Sequence, residues 1–206
     1  MSAKNPTENA ISELEISWLE RTENSAARVI VWRVPASGES LLNGFFALQQ
    51  HPEGRSLADL FITLDTPFET GYGYSEALAN DFLESVEATP DARPWTGEAF
   101  LPCFSAAALC AMLADFARVH AEDFTTLIVI LKPAAVSDIA AYQRWLAQWL
   151  AAPAERVRLL LTDTTEQPLW QPLIDAHASQ VLLLNDTPDA MQVMQQTARQ
   201  QTDPDS

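Results

Sequence analysis

Thr125-Thr126-Leu127-Ile128-Val129-Ile130-Leu131-Lys132-Pro133 is the most hydrophobic strand pattern in the chain. Five apolar residues run without a polar interruption, and a Lys and a Pro end them. Such a strand meets water on neither face, as in a parallel sheet covered by helices on both sides. Four shorter runs share its character: VIVWRV (29–34), ADLFITLD (58–65), RVRLLLTD (156–163) and VLLLN (181–185). Helical patterns separate them. Residues 11–23 place Ile11, Leu14, Trp18 and Leu19 near one face, and residues 41–50 read as a short buried helix. Ser75 can cap a helix over 75–88, and an Ala-rich helix over 104–121 is apolar on more than one side. Ser137 or Asp138 caps the next helix, where Tyr142, Trp145, Leu146 and Trp149 share a face. Residues 168–178 form a short helix containing Pro172, and Thr187-Pro188 starts a last one over 189–200. Strand and helix alternate throughout. Right-handed crossovers then predict an α/β fold, a three-layer sandwich around a five-stranded, mainly parallel sheet. Residues 11–200 are expected to be a single domain between a disordered N-terminus (1–10) and a disordered tail (201–206).

The 206 residues carry 12 Lys+Arg against 28 Asp+Glu, a net charge of −16, and only Lys4 and Lys132 are lysines. A surface this acidic repels phosphate backbones and anionic membranes, so nucleic acid and membrane are not expected partners, whereas a basic protein is. No stretch approaches the roughly 18 apolar residues of a membrane span, and residues 1–10 lack the pattern of a signal peptide. A cytoplasmic protein is expected. Cys103 and Cys110 are seven apart in a helix-like stretch, about 10 Å at 1.5 Å per residue, too far for a disulfide. With His51, His120 and His177 scattered, no zinc spacing exists and no metal or cofactor is expected. Those histidines read as structural, His120 near a helix C-terminus.

In open parallel sheets, ligands sit at the carboxyl ends of the strands. The first such end is Val34-Pro35-Ala36-Ser37-Gly38-Glu39-Ser40-Leu41-Leu42: strand, turn, Gly, Ser, helix. It resembles the phosphate-binding loop of P-loop NTPases, G-x-x-x-x-G-K-[ST]. Gly38 matches the second Gly and Ser40 the final Ser; the first Gly falls on Arg33 and the Lys on Glu39. The element order resembles the AAA and STAND branches of that superfamily, where a helix precedes the first strand. The resemblance puts the acidic Walker B end on Lys132 and the polar sensor position on Thr162. Both charged positions are therefore reversed. A Glu in place of the Lys repels phosphate, by about 4 kcal/mol at 4 Å and an effective dielectric near 20. This pattern implies a degenerate P-loop whose Glu39 and Lys132 flank one sheet edge within salt-bridge reach, directly or through a water. The alternative is that PASGES is an ordinary β-to-α turn.

Other candidate chemistry is sparse. Asp65 and Asp163 end strands two and four, and with Ser40 they are the set a small hydrolase or transferase would use, but no G-x-S-x-G elbow is present. Glu155, Arg156 and Arg158 read as a solvated strand entrance, and Trp145 and Trp149 as core. Phe68, Tyr72 and Tyr74, in a loop with Gly71 and Gly73, and Trp95 and Phe100, in the Pro-rich segment 89–102, are the candidate partner-binding aromatics. The alternative is that they fold back over a sheet end. These features predict a non-catalytic adaptor, chaperone-like or regulatory protein. A nucleotide-binding protein without metal-dependent hydrolysis is the second reading. Residues 127–149 followed by VRLLLTD are also similar to small accessory proteins encoded with bacterial toxin or type VI secretion clusters.

Overall fold

In a computed structural model, which describes residues 5–89 and 94–185, the five strands form one sheet. They are β1 (Val29–Val34), β2 (Leu60–Leu64), β3 (Leu127–Leu131), β4 (Val157–Thr164) and β5 (Val181–Leu184). Their order is β2-β3-β4-β1-β5, and every pairing is parallel. Among the described residues, six α-helices flank them: α1 (Pro6–Thr22), which precedes β1, and α2 (Glu39–Gln50), α3 (Gly71–Glu87), α4 (Ala106–Val119), α5 (Ile139–Ala151) and α6 (Gln171–Ala176), which connect the strands. The helix expected over 189–200 and the tail lie outside the described residues.

The pleat sorts the side chains into two cores. Ile30, Trp32, Ile128, Ile130 and Leu160 meet Leu14 and Trp18 of α1 and Leu42, Phe45 and Phe46 of α2. The alternate residues Val29, Val31, Leu127, Val129, Leu159 and Leu161 meet α3 to α6. Helices on both faces make the three-layer sandwich. The strand order explains the division: β1 to β2 is the one crossover that runs toward the β2 edge, the others running the opposite way. One handedness for all crossovers therefore puts α2 on the opposite face from α3 to α6. β3, flanked on both sides, is buried at all five residues, while the edge strands β2 and β5 are half-buried in places.

Two helices start four or more residues earlier than the pattern-based reading. α1 begins at Pro6, inside the stretch expected to be disordered, because Asn5 accepts from the Thr7 N–H and Glu8 accepts from the Asn5 N–H, both at 3.1 Å. α3 begins at Gly71 rather than Ser75, with Thr70 as its cap. Ser75 is buried and accepts a hydrogen bond from the Trp145 indole at 2.8 Å. Asp138, not Ser137, caps α5 by accepting from Ala141 N–H.

The amino end of the sheet is held by arginines, which overturns the reading of Arg156 and Arg158 as solvated charges. Arg158 donates to the carbonyls of Thr22 and Ser25 at the end of α1. Arg156 donates to Ala117, Ala121, Phe124 and Thr125 at and beyond the end of α4, and Arg28 to Leu150 and Ala152 at the end of α5. Each helix leaves its last carbonyls unsatisfied and partially negative, and each receives one guanidinium. Cys103 and Cys110 are free and buried; burial pushes the Cys103 thiol up to about 11.

Candidate functional site

Among the described residues, the sheet has one place where the helices that follow two neighbouring strands leave on opposite faces. It lies between β1, followed by α2, and β4, followed by α6. Such a switch point opens a crevice at the carboxyl ends. A cleft of about 430 Å³ lies there, lined by Glu39, Thr162, Asp163, Thr164 and residues 167–169. Glu39 and Thr162, matched to the P-loop Lys and the sensor, are thus brought together.

Lys132 follows Leu131, which pairs with Leu161, so it stands level with Thr162 at the same edge. It shares the face of Ile128 and Ile130 and meets α2. Its Nζ donates to Asn43 Oδ1 and lies 5.3 Å from the centre of the Phe46 ring. Burial pulls its pKa below the usual lysine value, and the charge of Glu39 partly opposes that shift. The common edge expected for Glu39 and Lys132 is observed. The direct ion pair is not among the contacts of the described residues: the partner of Lys132 is Asn43, one turn along α2.

The loop between β1 and α2 is closed. After Pro35, residues Ala36–Gly38 form a 3-10 turn that runs straight into α2. Gly38 N–H donates to Pro35 O at 2.7 Å, and Glu39 N–H bonds to Ala36 O. Backbone anion cradles alternate right- and left-handed residues so that successive N–H groups converge. Gly38 has φ −90° and ψ −11°, and no described glycine has positive φ. A carboxylate already occupies the start of the turn: Glu166 Oε2 accepts from Ala36 N–H at 3.0 Å. Hydrogen bonds from its own N–H, from Thr165 Oγ1 and from Ala36 hold the Glu166 carboxyl below its usual range. The carboxylate observed at the turn is Glu166, not Glu39. No sequence signal marks it, since the two partners are 130 residues apart. Ser40 is exposed.

Arg33, at the position matched to the first Gly, fills the other side of the crevice. Its guanidinium donates to Asp163 Oδ2 from Nη2 at 2.7 Å and Nε at 3.2 Å, and to Gln171 Oε1 at 2.9 Å. Asp163 also accepts from the N–H groups of Thr164, Leu169 and Trp170. Its side chain is 1% exposed. A carboxylate so fully engaged shapes the β4–α6 loop. Asp65 is exposed beyond β2, two strands away, about 10 Å at the usual strand spacing. The set Asp65, Asp163 and Ser40 is not assembled.

The aromatic candidates separate. Phe68 and Tyr74 are 1% and 2% exposed and pack with Tyr142, Tyr74 also against Trp145. Phe68 is drawn in by an isolated bridge to Val136, its N–H donating to Ala135 O at 2.8 Å. Trp95 and Phe100 are half-buried. Trp95 donates to Asp115 Oδ2 at 2.9 Å and packs on Phe82 and Phe116, with Phe100 beside it. Of the five, only Tyr72 stands in solvent, at 62%. It stacks on Phe104, which the sequence had not singled out, with centroids 4.5 Å apart and planes 12° apart. His51 is exposed and His177 half-buried at the end of α6. His120 is the buried C-cap of α4, its Nδ1 3.0 Å from Asp123.

No protein-family model matches the chain, and no curated protein matches its sequence. Solved structures are similar in fold. The structure of Drosophila ORC bound to DNA matches over 94% of this chain and 32% of its own, at TM-score 0.50 and 10% identity. Cdc6p from Pyrobaculum aerophilum matches over 93% of this chain and 49% of its own, at TM-score 0.44 and 14% identity. The chain spans 32% and 49% of the length of these two structures. The likeness to the ORC structure is one of fold alone. Among the described residues no helix is long and apolar enough to cross a membrane.

Proposed function

We propose that this chain is a non-catalytic protein-binding domain on a P-loop NTPase-like fold, serving as an adaptor, chaperone-like or regulatory component. The observation that carries the reading is the Glu166 carboxylate on Ala36 N–H, at the start of a loop wound into helix. Arg33 and Asp163 satisfy each other beside it, and Glu39 lines the same crevice. The groups that would meet a phosphate thus engage each other or carry the wrong charge. The reading includes no cofactor, metal or nucleic acid. The ORC structure is of a DNA-bound protein, but a net charge of −16 works against that partner here. A cytoplasmic setting in a bacterial secretion or toxin system belongs to the same proposal and rests on the resemblance of residues 127–149 and 157–163 alone.

Thermal melting with 1 mM Mg-ATP tests the reading. A site of about 10 μM affinity would stabilise the fold by about 2.7 kcal/mol, several degrees for a chain of this size. No shift is expected, with or without Mg²⁺, and Glu39→Lys alone should not create one because Glu166 and Lys132 remain. A shift of several degrees that Ser40→Ala abolishes overturns the proposal in favour of a nucleotide-binding protein.

A further inference from the structure

Tyr72 and Phe104 lie outside both the sheet edge and the two cores. Tyr72 is the second residue of α3 and turns out, whereas Tyr74, two residues on, turns inward. Phe104 precedes Ser105, the cap of α4, and is 38% exposed. Scattered single apolar residues on a surface are ordinary. Two stacked aromatic rings with an open outer face are not scattered, and rings of this kind anchor interfaces.

The charge around them is one-sided. From Ser56 to Ala92 the chain has eight Asp or Glu and no Lys or Arg. Glu69 precedes the Thr70 cap, and Glu76 is one turn below Tyr72 on the same side of α3. The field of Glu76 reaches Cys103, next to Phe104. An open ring face beside carboxylates with no ion-pair partner among the described residues favours a planar cation, which can stack on the ring and donate to the acids at its edge. A second copy of this chain would bring another −16 against the same face.

We propose that the Tyr72–Phe104 stack is the docking point for an arginine-bearing segment of a partner protein. The proposal rests on the protein-binding reading above and names the chemistry of its partner.

Amide shifts of the ¹⁵N-labelled chain, titrated with hexa-arginine and hexa-lysine peptides, test it. The expected result is shifts centred on residues 69–76 and 103–105, and tighter binding of the arginine peptide. Tyr72→Ala and Phe104→Ala should each weaken that peptide at least about fivefold, with little effect on the lysine peptide, and Tyr72→Phe should keep the affinity. Both sites are exposed; Phe104→Leu substitutes should Phe104→Ala fail to fold. Equal binding of the two peptides, shifts centred elsewhere, or no effect of Tyr72→Ala overturns the docking site. So does a dimer of the free chain that Tyr72→Ala dissolves, which would make a second copy the occupant. Nucleotide binding in the melting experiment would instead overturn the earlier reading and leave these titrations as they are.

Discussion

Arg33 and Asp163 stand opposite each other on β1 and β4 and are joined at 2.7 Å. Both sit at the carboxyl edge of the sheet, yet on the face away from Lys132. Strand alternation sends Lys132 toward α2 and the pair toward α6. The crevice therefore has an engaged ion pair on one side and a helix N-terminus on the other.

Removing Asp163 alone is expected to cost more than removing both members of this pair. Asp163→Ala strips the carboxylate from Arg33 and from three backbone N–H groups. A nearly buried charge left alone costs about 3–5 kcal/mol. The double variant Arg33→Met with Asp163→Ala should recover a measurable part of that loss. Urea unfolding of the two variants decides it. A single variant within 1 kcal/mol of the parent would show that the pair is solvated rather than structural.

Gly38 offers a test of the closed loop. Its dihedral angles are helical, and an added Cβ would meet Val34 Cβ at 3.5 Å, an ordinary contact. Gly38→Ala should therefore raise stability by about 0.4–1 kcal/mol through the unfolded chain. A loop that opens to cradle an anion would need the freedom of glycine, and the same change would then destabilise it. The urea midpoint gives the sign.

The main lines of the fold were legible because burial imposes them on strands: each continuous apolar run is a strand, and Glu39 and Lys132 share the edge inferred for them. The site was less legible because its decisive partners are remote in sequence. Glu166 meets a backbone N–H, which carries no residue signature, and Arg28, Arg156 and Arg158 meet backbone carbonyls. Phe68 and Tyr74 read as loop aromatics because Gly71 and Gly73 suggest a loop. Thr70 instead caps a helix that includes both glycines, and Tyr74, Leu78 and Phe82 fall on its buried side.

Alkaline stability should report the buried tyrosines. The Tyr74 hydroxyl lies 3.5 Å from that of Tyr142. Burial pushes Tyr74 from 10.0 up to about 12, the hydrogen bond from Tyr142 partly countering it and Asp81 adding to it; Tyr142 moves up as well. A raised pKa in the folded state contributes stability that is complete below pH 10 and is lost as pH rises toward 12, since the unfolded chain releases the proton first. Each such group steepens the loss by up to about 1.4 kcal/mol per pH unit. Tyr74→Phe should make the decline between pH 10 and 11.5 shallower. An unchanged slope would place the Tyr74 hydroxyl in contact with water.

Arg156 sets two effects against each other. Its φ of 59° lies in the left-handed region, which costs a residue with a Cβ about 1–2 kcal/mol relative to glycine. Its guanidinium holds the carbonyls at and beyond the end of α4 and lies 5.7 Å from the centre of the Phe124 ring. Hydrogen bonds from a charged donor contribute about 1.5–3 kcal/mol. Arg156→Ala keeps the backbone strain and loses the donors, so it should destabilise by about 2–3 kcal/mol. Arg156→Gly loses the donors but also the strain. It should be the more stable of the two by about 1 kcal/mol, although glycine ordinarily loses more chain entropy than alanine on folding. If alanine proves the better substitute, the chain at Arg156 is not held left-handed in solution. If both variants match the parent, the four carbonyls do not depend on the guanidinium, and water satisfies the end of α4 equally well.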